Sequence, residues 1–121
     1  MRSILRFACL LLLAVATGAL AQHHFRDAAR WAKEFDDPAR DAWQKPDQVI
    51  RALAPAPNAV VADIGAGTGY FAVRLARAVP RGRVIGVDIE PDMVRYLERR
   101  ARREGLANLA ARLIGPLLCH E

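Results

Sequence analysis

Cysteine and histidine are scarce in this sequence of 121 residues, which contains two cysteines and three histidines. Cys9 and Cys119 stand near opposite ends of the chain, so they form no disulfide framework and match no metal-ligand spacing. The adjacent residues His23 and His24 could hold a metal ion, although a frayed terminus is the simpler interpretation. We therefore expect no metal site.

A strong excess of either charge is also missing. The formal net charge is +5, and it falls to +3 if Arg2 and Arg6 are removed with a cleaved leader. Charge alone therefore does not indicate a nucleic-acid partner, and none is expected. Five arginines between residues 95 and 103 are interspersed with Glu98, which favours a solvated helix face over an RNA- or membrane-binding patch.

The longest apolar run, residues 7–16, is too short to span a membrane, which takes about 20 residues. Arg2 and Arg6 precede this run, and Ala19-Leu20-Ala21 follows it with small residues at two positions that a signal peptidase recognises. The pattern predicts a signal peptide at residues 1–21 and an exported, periplasmic protein. The alternative is an uncleaved N-terminal anchor, and only then would the chain contact a membrane.

The rest of the chain has an ordinary globular composition, with 53% hydrophobic and 26% charged residues overall. Residues 22–58 are predicted to be a helical lead-in. Helical spacing predicts one helix over residues 22–37 and another over residues 47–53. The residues that recur at helical spacing in the first helix are Phe25, Ala28, Ala29, Ala32 and Phe35, and the expected buried side of the second is Val49, Ile50 and Leu53.

Residues 59–115 are predicted to alternate strands with helices. The unbroken apolar run at residues 59–64 suggests a strand buried on both faces. A helix over residues 70–79, a strand over 83–88, a helix that Pro91 opens and a strand over 108–114 complete a β-α-β-α-β order. Residues 116–121 follow neither pattern and are predicted to be an irregular tail. The fold class is thus α/β.

A glycine-rich turn separates the first strand from its helix, with glycines at positions 65, 67 and 69. Such a turn lets a ligand approach the backbone closely at the start of a helix. The spacing departs from the dinucleotide pattern, because Tyr70 occupies the third glycine position and is too large for close helix–strand packing. Asp63 would repel phosphate but attract an ammonium group. A plain structural turn is the competing interpretation.

Asp88 ends the second strand, 23 residues after Gly65. An acid at about this distance can accept hydrogen bonds from both hydroxyls of a ribose. A ribose at Asp88 and an amino group at Asp63 together describe an adenosyl amino acid. Ile89 could be an adenine-packing side chain or a plain core residue, and the sequence does not separate these interpretations.

The motif at residues 63–69 and the segment 84–93 together resemble the N-terminal half of a class I S-adenosylmethionine-dependent methyltransferase. The resemblance covers about residues 25–115, including the lead-in, which is similar to that of bacterial methyltransferase-domain proteins with signal peptides. It implies a partial Rossmann-like domain and S-adenosyl-L-methionine as cofactor. The cofactor-binding residues that it implies are Asp63, Gly65, Ala66, Gly67, Gly69, Asp88 and Ile89.

The sequence departs from that family after the third predicted strand, since the later strands have no counterpart. We therefore expect a truncated product that binds the cofactor weakly or not at all and is not active. Neither a catalytic base nor a methyl acceptor can be assigned. The alternative to a methyltransferase is a non-catalytic α/β remnant or binding module, and a dinucleotide-dependent oxidoreductase is disfavoured.

Overall fold

A computed structural model describes residues 25–115, in which short helices precede a three-stranded parallel sheet. Strands and helices alternate in the sheet region, which confirms the predicted β-α-β-α-β order. The predicted signal peptide (1–21) and tail (116–121) lie outside the described residues and stay predictions. The elements are α1 (Ala28–Phe35), a 3-10 turn (Pro38–Arg40), α2 (Asp41–Gln44), α3 (Pro46–Leu53), β1 (Val60–Ile64), α4 (Ala72–Ala78), β2 (Arg83–Asp88), α5 (Pro91–Arg103) and β3 (Leu109–Leu113).

Helix α1 is shorter than the predicted helix over residues 22–37. Asp27 caps it, because its carboxylate accepts a hydrogen bond from the Arg30 amide at 3.2 Å. The helix ends before Asp37-Pro38, where the proline disfavours helical geometry in the preceding residue. Of the residues at helical spacing, Ala28 and Ala32 are buried, whereas Ala29 and Phe25 are exposed.

Helix α3 begins at Pro46, at the first helical position that proline favours. Its predicted bounds were right to one residue, but its predicted buried side was wrong. Val49 is 39% exposed and Leu53 is 62% exposed, while Ile50 packs against the core. Amphipathic spacing therefore located the helix without showing how much of its apolar face a neighbour covers.

The three strands pair in the order β1-β2-β3, and both pairings are parallel. In the register of the sheet, Asp63 lies beside Gly86, and Asp88 lies beside Leu113. The carboxyl ends of the strands therefore meet at one edge of the sheet. In open parallel sheets, ligands bind at this edge.

Helices α4 and α5 share one hydrophobic core, which lies on one face of the sheet. This face presents the buried side chains of Val84, Leu109 and Ala111 to the two helices. On the opposite face, Val60 is 73% exposed and Ile64 is 72% exposed. The prediction that the first strand is buried on both faces was therefore wrong, because neither α4 nor α5 covers its second face.

The packing of α5 against the sheet depends on two glycines that face Leu97. A Cβ atom at Gly86 would lie 2.5 Å from Leu97 Cδ2, and one at Gly69 would lie 2.5 Å from Leu97 Cδ1. Leu97 is itself almost fully buried. Glycine at these positions therefore allows helix, strand and turn to approach one another closely.

Candidate functional site

Asp88 joins the end of β2 to the glycine-rich turn. Its Oδ2 atom accepts a hydrogen bond from the Gly67 amide at 2.8 Å, and its Oδ1 atom accepts one from the Glu90 amide at 2.9 Å. Each carboxylate oxygen has a further lone pair that could accept a donor such as a ligand hydroxyl. The predicted acid thus lies directly beside the predicted turn.

The turn itself needs its glycines for backbone geometry. Gly65, Gly67 and Gly69 have φ angles of 73°, 56° and 98°, a region that favours glycine. The amides of Gly65 and Ala66 donate to the Val87 carbonyl at 2.8 and 3.0 Å. These bonds hold the turn against the end of β2, and the turn leads into α4 as the sequence predicted.

Asp63 lies near Asp88 at this same edge of the sheet. Burial raises the pKa of the Asp63 carboxyl, a hydrogen bond from the Ala72 amide opposes that shift, and the Asp88 charge raises the pKa further. The Asp88 charge thus acts on the Asp63 carboxyl beside the glycine turn. A cationic ligand group next to Asp63 would relieve this unfavourable environment.

A cavity of about 220 Å³ opens beside the turn. Asp63, Gly65, Ala66 and Gly67 line it, so the structure brings four of the predicted residues together. The sequence-based prediction missed the other wall, which comes from the lead-in and from the turn residues that precede α4. That wall consists of Phe35, Arg40, Thr68, Tyr70 and Phe71.

The other predicted site residues lie around this cavity. Gly69 lies on the core side of the turn, where it faces Leu97, and it does not line the cavity. Asp88 and Ile89 also lie outside its lining, at the end of β2. The Ile89 side chain is 70% exposed, so it is not the plain core residue that the sequence left open. Its surface is available to an apolar ligand group.

Tyr70 fills the position where a dinucleotide turn carries its third glycine. Its side chain is buried, and its hydroxyl donates to the Asp41 carboxylate of α2. The large side chain of Tyr70 therefore reaches the lead-in and contacts it, which the sequence did not predict.

The lead-in is also tied to the turn through a polar network. Asp36 accepts hydrogen bonds from the Thr68 hydroxyl at 3.0 Å and from Arg100 at 2.8 Å. Arg100 also donates to the Thr68 carbonyl at 3.1 Å. The interpretation of the arginine-rich stretch as a solvated face was wrong for Arg100, whose side chain is only 15% exposed.

Within residues 25–115, no group of three or more histidine, cysteine or carboxylate side chains is arranged to hold a metal ion. No helix of this part of the chain has the length and apolar character to cross a membrane.

Comparison with protein families matches residues 55–114 to a family described as "Methyltransferase domain". Among curated proteins, the release factor glutamine methyltransferase of Moorella thermoacetica is 35% identical over 81 residues, which are 67% of this chain and 29% of that protein. A 4-amino-L-phenylalanine/4-methylamino-L-phenylalanine methyltransferase of Streptomyces pristinaespiralis is 38% identical over 72 residues, covering 60% of this chain and 24% of the relative.

Solved structures show the same likeness. A SAM-dependent methyltransferase from Aquifex aeolicus superposes with a TM-score of 0.61 and 26% identity, covering 74% of this chain and 46% of that one. An RNA methyltransferase from Salinibacter ruber, solved with S-adenosyl-L-homocysteine, gives a TM-score of 0.54 and 26% identity over 60% of this chain and 48% of its own. The chain spans less than a third of the length of the curated relatives above.

Proposed function

We propose that the chain binds S-adenosyl-L-methionine at its glycine-rich turn, because residues 55–114 belong to a class I S-adenosylmethionine-dependent methyltransferase domain. The observation that carries the proposal is the convergence of Asp63, Asp88 and the turn at one edge of the sheet. A carboxylate that accepts ribose hydroxyls and another that pairs with an ammonium group suit an adenosyl amino acid.

The reaction that this site would serve is transfer of the sulfonium methyl group to a nucleophilic N, O or C atom. Asp63, Asp88 and the glycine-rich turn would hold this donor, which would supply an electrophilic methyl group to the nucleophile. The contribution of the described residues is to hold the methyl donor in a fixed orientation, which lowers the entropic part of the barrier.

The methyl acceptor does not follow from the relatives. One is named for the glutamine of a release factor and another for an amino-substituted phenylalanine, so similar chains serve acceptors of different chemistry. We therefore propose donor binding for this chain, in place of the weak or absent binding expected from the sequence alone, with methyl transfer as the activity of the family domain.

The test is isothermal titration of the full chain with S-adenosylhomocysteine, comparing wild type with Asp88→Asn. We expect wild type to bind and Asp88→Asn to bind at least about tenfold more weakly, because hydrogen bonds to a charged group contribute about 1.5–3 kcal/mol. Glu34→Gln removes one negative charge from the exposed surface of α1 and should leave the affinity unchanged.

The absence of binding by wild type would contradict the proposal and favour a non-catalytic remnant. Tighter binding of NAD than of S-adenosylhomocysteine would instead indicate a dinucleotide site.

A further inference from the structure

Arg40 is a charged residue of the cavity that neither the sequence motif nor the family match covers. It ends the 3-10 turn at Pro38–Arg40, and its side chain lines the cavity together with Asp63 and the glycine-rich turn. The cavity therefore contains one cationic and one anionic side chain.

The Arg40 guanidinium is held in place by uncharged groups. It lies 4.3 Å from the centre of the Tyr70 ring and 5.7 Å from that of Trp43, and its Nη1 atom donates to the Phe35 carbonyl. Stacking on an aromatic ring orients a guanidinium and leaves its edge free for a planar anion. Among residues 25–115, Arg40 forms no ion pair with a carboxylate.

Arg74 shows the contrast on the same aromatic ring. Its guanidinium lies 4.2 Å from the centre of the Tyr70 ring, but its Nη2 atom also pairs with the Asp41 carboxylate at 3.1 Å. Arg74 therefore has an internal anion and does not line the cavity, whereas Arg40 lines it without one.

The two charges of the cavity suit a zwitterion. A ligand ammonium group would pair with Asp63, and a ligand carboxylate would pair with Arg40. A cavity of about 220 Å³ has room for an amino-acid group. Asp88 and Ile89 lie outside its lining, where they would be available to contact a nucleoside.

We propose that Arg40 binds the carboxylate of the amino-acid end of S-adenosylmethionine, opposite Asp63, and so selects ligands that carry an intact amino acid. This inference rests on the proposed function, since it assigns one further contact in the same site. It makes Arg40 a residue that determines specificity and positions the donor.

The experiment compares two ligands of the full chain by titration calorimetry. S-adenosylhomocysteine carries the amino-acid group, and 5′-methylthioadenosine has the same nucleoside and thioether without it. We expect Arg40→Ala to lower the affinity for S-adenosylhomocysteine about tenfold or more, because bidentate arginine–carboxylate contacts are strong. The affinity for methylthioadenosine should change less than about twofold.

Two further variants separate charge from folding. Arg40→Gln retains a donor for the Phe35 carbonyl and should show the same selective loss at an unchanged Tm. Arg74→Ala removes an arginine from the same ring and should lower the Tm without discriminating between the two ligands.

An equal loss of affinity for both ligands in Arg40→Ala and Arg40→Gln would overturn the inference, as would unchanged affinity for S-adenosylhomocysteine. Either result, obtained with a wild type that binds S-adenosylhomocysteine, leaves the proposed function standing. If the wild type binds neither ligand, both the inference about Arg40 and the proposed function are contradicted.

Discussion

At the scale of single residues, Asp63 illustrates how a binding site can oppose folding. Burial raises the pKa of its carboxyl in the folded chain, and only the Ala72 amide favours the ionised form, while Asp88 disfavours it. The ionised carboxylate is therefore less stable in the folded chain than in water. Such a loss of folding stability is expected where a buried charged group serves to bind a ligand of opposite charge.

Asp63→Asn removes this charge while keeping an oxygen that can accept the Ala72 amide. We expect a higher Tm at neutral pH and at least about a tenfold loss of S-adenosylhomocysteine affinity. Because the folded pKa is raised, the cost of Asp63 begins as pH rises above the ordinary value of 3.8 and is complete above the folded pKa.

Thermal unfolding of both proteins between pH 3 and pH 8 checks this sign, and the Tm difference should vanish at the acidic end. The exposed Glu34→Gln variant should show no comparable gain at neutral pH. A Tm of Asp63→Asn below that of wild type at pH 7 would contradict the account.

Residue spacing predicted half of the cavity and missed the other half for a physical reason. Asp63 and the glycines adjoin in sequence, and Asp88 follows at the distance of one strand–helix–strand unit. Arg40 and Phe35 precede the motif by more than 20 residues, and only the docking of the lead-in brings them to the turn. No local sequence pattern predicts where the lead-in docks.

At the scale of elements, Arg100 connects three parts of the fold. It extends from α5 to Asp36 after α1 and to the Thr68 carbonyl of the turn, and its Nε atom donates to Glu104 at 2.8 Å. Burial alone would lower the pKa of Arg100, but Glu104 and Asp36 raise it above its ordinary value. The lead-in is therefore fastened to the site by a fully ionised arginine.

Arg100→Ala should destabilise the fold by about 2 kcal/mol, since it leaves Asp36 without its ionic partner in a half-buried position. For a domain of this size, that corresponds to a Tm lower by roughly 10 °C. Thermal unfolding checks the value. Arg99→Ala removes an exposed neighbour on the same helix and should cost less than about 0.5 kcal/mol, so equal losses in the two variants would refute the connecting role.

Elements were predictable where their signals are local. Pro91 indicated where α5 begins, and the buried residues Met93, Leu97 and Ala101 follow it at helical spacing. The apolar run of β1 was equally clear as a strand but gave the wrong burial. Which face of a strand is covered depends on where the crossover helices pack, and both pack on one face here.

At the scale of the whole molecule, β1 exposes apolar side chains on the second face of the sheet, within the described residues. Val60 and Ile64 of β1 project from it, and they are more than 70% exposed. An exposed apolar strand favours association between chains.

Ile64→Lys should therefore raise the soluble concentration of the chain without lowering its Tm, because it buries no charge and removes an exposed apolar side chain. Concentration-dependent light scattering checks this. Leu53→Lys places the same charge at a position of similar exposure on α3, away from the sheet, and should give the smaller gain. Equal gains would show that net charge alone, rather than the sheet face, controls solubility.

The hydrogen bonds of Asp88 have a consequence for the timing of ligand capture. Both of its oxygens already hold backbone amides, from Gly67 and from Glu90. The docking surface is then pre-organised, and little entropy remains to be lost when a nucleoside arrives. Association should proceed in a single kinetic phase whose observed rate rises linearly with ligand concentration, as expected for a preformed site that binds without a conformational step.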